Sequence, residues 1–164
     1  MKSLKINLLL FAFVCTFITS CSKEDDGIYF NEINEVKVEY STMELEILDL
    51  VNAHREELGL QALTNLNIIS SVALSHTTYM AETHLVNHNN FAERQENLAL
   101  KANAKSVGEN VAYGFNTSSG VVNGWLNSDA HRAIIENSDY THFGISIEQN
   151  DEGRNYFTQI FIKQ

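Results

Sequence analysis

The residues best suited to chemistry in this chain gather in one stretch, residues 108–132. Glu109 lies within a Gly-Glu-Asn triplet, which is typical of a turn, and His131 lies beside an arginine at the far end. A carboxylate beside an imidazole either raises the pKa of the imidazole or orients the neutral ring as a base. The only tryptophan, Trp125, lies between them. The stretch therefore predicts a functional site.

A second candidate is the pair His84 and His88, which are four residues apart. On a helix, this spacing places two imidazoles on one face, where they could bind a metal ion. The preceding helix is expected to end near Thr83, and no acidic residue lies between the two histidines as in a zincin motif. The spacing alone therefore favours a pair without a metal.

Other kinds of chemistry lack the residues that they need. The chain has no Gly-x-Ser-x-Gly nucleophile elbow and no glycine-rich phosphate loop. Ser128 lies three residues before His131, but a role as the N-cap of a short helix explains it better. The formal net charge of −10 argues against nucleic acid as a partner, because phosphate binding needs clustered lysine and arginine.

Residues 1–20 are typical of an export signal, with two early lysines and an apolar run that is too short to span a bilayer. The tetrapeptide Ile-Thr-Ser-Cys that ends at Cys21 resembles a bacterial lipobox. That resemblance implies a lipoprotein whose Cys21 carries acyl chains such as palmitate and anchors the protein to the membrane. Ordinary signal cleavage is the alternative. The other cysteine lies in the leader, so the domain is expected to have no disulfide.

Residues 21–40 are predicted to be an acidic tether or linker, with a short strand at 35–40 as an option. The first residues after the cysteine, Ser-Lys-Glu-Asp-Asp, are typical of a solvated linker. They also resemble the signal that directs some lipoproteins of Bacteroidetes-type bacteria to the cell surface. The predicted localisation is therefore the cell envelope, at the outer membrane, with surface exposure as a further option.

Residues 41–164 are predicted to form one α+β domain. Ser41 and Glu44 match a capping box at the start of a first helix. Helical spacing of apolar residues predicts a second helix over 66–83, and the loop 150–153 is typical of a β-hairpin. Helices that precede an antiparallel hairpin indicate a layered α+β architecture.

Shorter elements should complete the domain, and two histidines on apolar helix faces, His54 and His76, should be structural. The expected elements are a helix over 90–100, a loop over 102–107, a strand over 110–113, helices capped by Thr117 and Ser128, and strands over 143–148 and 154–163.

In this order and spacing, the residues resemble the CAP superfamily, also called the SCP or cysteine-rich secretory protein family, in its bacterial form. The resemblance spans roughly residues 43–161. It implies a three-layer α-β-α sandwich with helices on both faces of a small antiparallel sheet. The residues that carry it are Asn52, Arg55, Ala73, Met80, His88, Arg94, Gly108-Glu109-Asn110, Trp125, Ser128, His131-Arg132, Gly144 and Tyr156-Phe157-Thr158-Gln159.

The resemblance also implies a cleft. Animal and plant members hold two His and two Glu there, which bind a divalent metal in some members. By position, His88 and Glu109 match the first of each. The second Glu falls near Ser128 and the second His near Tyr156, so half of that set is absent. Bacterial relatives instead carry the His of a Ser-x-x-His-Arg motif, here His131.

The candidate catalytic residues are therefore His88, Glu109 and His131. Together they would also suit Zn²⁺ or Mg²⁺, with a bound water as nucleophile. Alternatively, Glu109 accepts hydrogen bonds from His88 and backbone amides and serves structure alone. The candidate ligand-binding residues around them are Asn110, Ser128 and Tyr156.

Two functions follow as expectations. The first is a membrane-anchored extracytoplasmic binding module for a small amphipathic or lipid-like ligand or a peptide. The second is a peptidase-like hydrolase that uses the same cleft, with or without a metal. The residues favour the first, because no nucleophile is evident. A purely structural or adhesive surface domain is the third option.

Overall fold

A computed structural model describes residues 33–164. The predicted signal peptide, Cys21 and the tether up to residue 32 lie outside the described residues, so these assignments stay predictions. None of the helices within 33–164 combines the length and the apolar character that a membrane span requires.

The described residues form five helices and four strands. In chain order they are α1 (Thr42–Glu57), β1 (Thr64–Asn65), α2 (Asn67–Thr83), α3 (Phe91–Ala102), β2 (Ser106–Tyr113), α4 (Ser118–Leu126), α5 (Asp129–Ile135), β3 (His142–Gln149) and β4 (Asn155–Lys163).

The four strands form one sheet in the order β1-β3-β4-β2. Strand β3 pairs with β4 in antiparallel register, as the predicted hairpin requires, and β2 pairs with the other side of β4, also in antiparallel register. The sequence did not indicate β1, which pairs with β3 in parallel at only two positions, Thr64 with His142 and Asn65 with Phe143. The strand β2, which carries Glu109, is therefore an edge strand.

The central strand β4 separates two hydrophobic cores. Its Ile160 and Ile162 pack against α2 and α3 on one face. Phe157 and Phe161 alternate with them and pack against α1, α4 and α5 on the other face. This alternation is what a strand that is buried on both sides requires. It confirms the predicted α-β-α sandwich.

Local capping signals set several helix ends as predicted. The Ser41 side chain accepts from the Glu44 amide, and the Glu44 carboxylate accepts from the Ser41 amide at 2.8 Å, which completes the capping box. Thr117 caps α4 by accepting from Gly120 N at 3.1 Å. Ser128 is the N-cap residue of α5, but its side chain makes no capping hydrogen bond.

Strand β2 is longer than the sequence indicated, because it begins at Ser106 and not near Asn110. Long-range pairing explains the difference, since the ladder to β4 continues to Ser106 opposite Lys163. Gly108 therefore lies in a strand, not in a turn. A Cβ there would lie 2.4 Å from the Tyr140 hydroxyl, so close packing requires the glycine.

The residues before the first helix, 33–40, form no strand, but they do pack against the domain. Ile33 is buried in the α2–α3 core. The Val36 amide donates to Ser71 Oγ at 3.0 Å, and the Tyr40 hydroxyl donates to Ser70 Oγ at 2.8 Å. These contacts hold the segment across α2.

Arg55 on α1 positions the chain that leaves α5. Its side chain is fully buried and donates to the carbonyls of Ile135 at 2.6 Å and Asn137 at 3.0 Å. Its Nε donates to Gln61 O at 3.0 Å. Burial lowers the pKa of Arg55.

The neighbouring His54 differs from its prediction as a core histidine. Its side chain is 23% exposed and contacts Glu136 at 2.9 Å. The apolar stripe of α1 ends before its last turns, so solvent reaches this histidine. Glu136 at the end of α5 lies close enough to pair with it.

Candidate functional site

The site is built around a buried carboxylate, Glu109, whose side chain is 1% exposed. It lies on the face of β2 that packs against α2 and α3. Arg94 on α3 donates from Nε to Glu109 Oε2 at 2.6 Å and from Nη2 to Oε1 at 2.6 Å. This is a bidentate pair, in which the planar guanidinium matches both carboxylate oxygens.

The hydrogen bonds decide the charge of Glu109. Burial alone would raise its pKa, but hydrogen bonds from His88 and Arg94 and the positive charge of Arg94 outweigh burial and hold the pKa below its usual value. Glu109 is therefore an ionised carboxylate whose charge is balanced by a guanidinium.

Arg94 reaches Glu109 because α3 buries one face. Arg94, Leu98 and Ala102 are the buried residues of this helix, and they recur every four positions. The third donor of Arg94, Nη1, binds Asn89 O at 2.7 Å, so the arginine also fixes the loop between α2 and α3.

That loop presents His88, whose Nδ1 lies 2.8 Å from Glu109 Oε1. An ionised carboxylate only accepts hydrogen bonds, so Nδ1 carries the proton and donates. In the neutral ring, Nε2 is then an acceptor. The His88 side chain is 50% exposed. The outcome is an imidazole with a fixed tautomer, held by a buried carboxylate and accessible from solvent.

His76 on α2 contacts the same loop from the protein interior. It is fully buried, and its Nε2 lies 2.8 Å from Asn87 O and 4.0 Å from Glu109 Oε1. Burial, with the positive charge of Arg94, lowers its pKa to about 4, although Glu109 acts in the opposite direction. His76 is therefore neutral near pH 7, and its structural role is as predicted.

His131 approaches from the other side of the edge strand. It is half-buried in the first turn of α5. Asn110 follows Glu109 along β2 and so faces the opposite side of the sheet, where its Nδ2 donates to His131 O at 3.2 Å. Burial and then the charge of His88 lower the pKa of His131, so the two imidazoles are close enough to interact electrostatically.

The three predicted ligand-binding residues are not all near this cluster. Asn110 is fully buried and holds the backbone of α5, and Ser128 is half-buried one turn before His131. Tyr156 lies opposite Tyr113, four positions along β2 from Glu109 and thus roughly 13 Å away. It is 3% exposed in a separate cluster with Tyr79, so it does not line the cluster of His88 and Glu109.

The residues present do not fit a metal ion. Both oxygens of Glu109 already accept from Arg94, which would place a guanidinium against the metal. No group of three His, Cys, Asp or Glu side chains within 33–164 could hold a metal. The predicted set of His88, Glu109 and His131 is therefore an interacting cluster without the geometry of a metal centre.

The alternative histidine pair does not form either. Helix α2 ends at Thr83, and His84 adopts a left-handed conformation with φ of 58°. Its side chain contacts Asp151 at 3.0 Å, away from His88. The helical spacing that suggested the pair does not apply, because the chain leaves the helix between them.

Sequence reasoning assigned no role in the site to Arg94. A signal was present, because an arginine occupies the same helical stripe as Leu98 and Ala102. A buried guanidinium requires a carboxylate or several carbonyls, and the nearby Glu109 was already a candidate. Arg94 appeared only among the residues that carried the family resemblance.

The comparisons agree with this fold. The family model described as "Cysteine-rich secretory protein family" (CAP) matches residues 48–161. A relative named "Uncharacterized membrane protein YlbC", from Bacillus subtilis, is 35% identical over 127 residues, which cover 76% of this chain. The match covers only 35% of that relative's own length.

Two solved structures share the architecture. An outer surface protein from Borrelia burgdorferi has a TM-score of 0.69 at 21% identity, covering 80% of this chain and 99% of that one. A cysteine-rich secretory protein from Staphylococcus aureus has a TM-score of 0.64 at 26% identity, covering 80% of this chain and 42% of that one. The first likeness concerns the fold alone. With the family model spanning most of the described domain, this chain belongs to the cysteine-rich secretory protein (CAP) family.

Proposed function

We propose that this chain is a membrane-anchored extracytoplasmic binding module, whose site at His88 and His131 takes a small amphipathic ligand or a peptide segment. One observation carries the proposal. Arg94 engages both oxygens of Glu109, while Glu109 holds the half-exposed His88 in one tautomer. This arrangement preorganises an imidazole for recognition, and it engages both oxygens of the carboxylate in hydrogen bonds.

The chemistry of the site indicates what part of a ligand it would recognise. With the proton on Nδ1, the neutral form of the His88 ring would offer Nε2 as an acceptor, which suits a hydroxyl or amide donor. Burial lowers the pKa of His131, which favours its neutral form near pH 7. A protein with a formal net charge of −10 repels anions, so the site favours an uncharged polar group over an anion.

The anchor is proposed on the lipobox that ends at Cys21. Ile33 packs into the domain, so residues 22–32 would let the domain lie at most roughly 40 Å from the acylated cysteine. The names of similar proteins support an envelope location, since they include an outer surface protein and a membrane protein. We propose the outer membrane as the location, with the domain exposed outside the cytoplasm.

A titration followed by NMR would test the binding function. The purified full-length chain, with labelled histidines, would be titrated with octanoic acid amide, with lysophosphatidylcholine and with a mixture of octapeptides. We expect at least one probe to shift the His88 and His131 ring signals saturably. His88→Asn should abolish the shift, and His84→Asn should preserve it, because His84 contacts Asp151 elsewhere.

The proposal fails if no probe shifts either ring, or if the shift persists unchanged in His88→Asn. Thermal unfolding of both variants would confirm that each one is folded before the comparison is made.

A hydrolase is the second candidate, and the contact of His88 with Glu109 favours it. A carboxylate that orients an imidazole is the arrangement that a general base needs. A fluorogenic peptide library would separate the two functions. Binding alone predicts no turnover above that of buffer. Turnover that is lost in His88→Asn but kept in His84→Asn would establish the hydrolase.

A further inference from the structure

We infer a second binding surface on this domain, a groove along the open edge of β3 that takes an extended peptide with alternating apolar and basic residues. We call it the edge groove, and we define it by residues 144–149 on one wall and residues 36–39 on the other. It does not involve His88, Glu109 or His131, so the inference is independent of the proposed function.

The groove exists because β1 is too short to cover β3. Strand β1 pairs only with His142 and Phe143, at the start of β3. In the described part of the chain, no strand pairs with residues 144–149 on that side, although β4 pairs with them on the other. An uncovered strand edge is a template for one more strand.

The space beside this edge is large enough for a peptide. A cavity of about 520 Å³ runs along it, bounded by the end of β3, the start of α1 and residues 36–39. Its apolar lining includes Met43, Leu74 and Ile147. The segment 36–39 forms the second wall and does not pair with β3, so the cavity separates it from the strand edge.

The edge groove carries a net negative charge, which favours a cationic ligand. Glu39, Glu44 and Glu148 line it, against a single ammonium from Lys37. Lys37 is exposed and already contacts Glu39. Burial, together with the negative charge of Glu44, raises the pKa of Glu148. A positive charge placed between these two carboxylates would relieve their repulsion.

The same charges argue against two other occupants. A second copy of this edge would bring Glu44 and Glu148 against their own counterparts, on a chain with a formal net charge of −10. Like charges on directly paired strands are destabilising. A nucleic acid backbone would meet the same repulsion. A basic peptide is the occupant that the groove complements.

The pleat of β3 predicts the pattern of the peptide. Ile145 and Ile147 face the α1 core, whereas Ser146 and Glu148 face the α2 side. An added strand places alternate side chains on the same two faces. Its apolar residues would then lie near Met43, and its basic residues near Glu148.

Two side chains accept hydrogen bonds from the β3 amides that an added strand would use. Ser70 Oγ accepts from Ile145 N at 3.1 Å, and Glu44 Oε1 accepts from Ile147 N at 3.0 Å. These two side chains satisfy the backbone donors of the edge when no peptide is bound. A peptide carbonyl would replace Glu44 Oε1 at Ile147 N, while Glu44 Oε2 keeps its hydrogen bond to Ser41 and the freed oxygen faces the basic side chain.

Fluorescence anisotropy on the purified full-length chain would test the inference. The probe is a labelled hexapeptide, Val-Lys-Val-Lys-Val-Lys, and the matched control is Val-Glu-Val-Glu-Val-Glu. We expect saturable binding of the first and none of the second. Glu148→Gln should weaken binding about two- to fivefold, as for an opposed charge pair on neighbouring strands. Glu152→Gln, which removes the same charge from the hairpin loop, should leave binding unchanged.

Backbone methylation separates strand addition from charge attraction. Two further probes carry N-methyl groups on the three valines or on the three lysines, so that each blocks one edge of the peptide. Strand addition predicts that one of these probes binds and the other does not. Equal binding of both probes, equal binding of the acidic peptide, or unchanged affinity in a folded Glu148→Gln protein would each overturn the inference.

Discussion

The domain buries two arginines completely, and they balance their charges in different ways. Arg94 meets a carboxylate, with two hydrogen bonds to Glu109 at 2.6 Å. Arg55 meets backbone carbonyls, those of Gln61, Ile135 and Asn137. The first pair lies under a half-exposed histidine, whereas the second holds the chain that leaves α5.

This difference separates a functional arrangement from a structural one. Carbonyl dipoles at a helix C-terminus stabilise a cation and can turn to water when it is removed. A buried carboxylate cannot do so without a large cost. Arg94 therefore depends on Glu109 as much as Glu109 depends on Arg94, and the pair presents His88 to solvent. Arg55 holds no side chain at the solvent-exposed surface, so its role is structural.

The largest expected effect is that of Arg94→Met. The substitution would leave Glu109 ionised, buried and without its guanidinium, which should cost about 3–5 kcal/mol of unfolding free energy. Urea denaturation measures it. The double variant Arg94→Met, Glu109→Leu should recover a large part of the loss, because it removes the unpaired charge. A loss below about 1 kcal/mol in the single variant would show that the pair is not the charge balance described here.

Arg55→Met should cost less, about 2–3 kcal/mol, because the carbonyls left behind are neutral. The same urea titration gives the comparison directly. If Arg55→Met proves the more destabilising of the two, the carbonyl set matters more than the ion pair, and the contrast between the two arginines is reversed.

The pH dependence of stability should come from His76, whose pKa is lowered by burial and by the positive charge of Arg94. The pKa of His76 is about 4 when folded and 6.5 in the unfolded chain, so the unfolded state binds its proton first as pH falls. Stability should be complete above pH 6.5 and decline between pH 6.5 and 4. The decline from about pH 7 to about pH 5 should be about 2 kcal/mol from this group.

Urea denaturation of His76→Gln at the two pH values tests this, since the variant should show a flatter profile. The lowered pKa of Glu109 acts in the same direction at lower pH: its contribution is present above its unfolded value of 4.5 and is lost as pH falls through its folded value. A wild-type profile that is flat from about pH 7 to about pH 5 would contradict the assignment for His76.

The smallest effect on stability should follow His88→Gln. His88 is half-exposed, so loss of its hydrogen bond to Glu109 should cost at most about 1 kcal/mol. His84→Gln, at a similar exposure, is the matched control. Thermal unfolding of both variants should give nearly equal midpoints. If His88→Gln alone lowered the unfolding midpoint strongly, His88 would have a structural role, as Arg55 has.

Several element ends follow from local sequence. The capping box of Ser41 and Glu44, the cap at Thr117 and the hairpin loop near Asn150 all act between residues that are a few positions apart. The contact of His88 with Glu109 was also anticipated, through the family resemblance and not through spacing.

Other features came only from contacts across the fold. Strand β2 begins at Ser106 because β4 pairs with it, and Tyr156 lies away from His88 because the register places it opposite Tyr113. The two-residue strand β1 exists only through its pairing with β3. Strand pairing joins distant parts of the chain, so a local pattern does not specify it.

The sequence by itself determined the helices, the two long antiparallel strands at the C-terminus, the family and the candidate pair of His88 and Glu109. Only the tertiary structure decided that Arg94 occupies both oxygens of that glutamate and that the edge of β3 stays open. The physical reason is distance along the chain. Capping and periodicity act within a turn or two, whereas a buried charge finds its partner only after the helices have packed on the sheet.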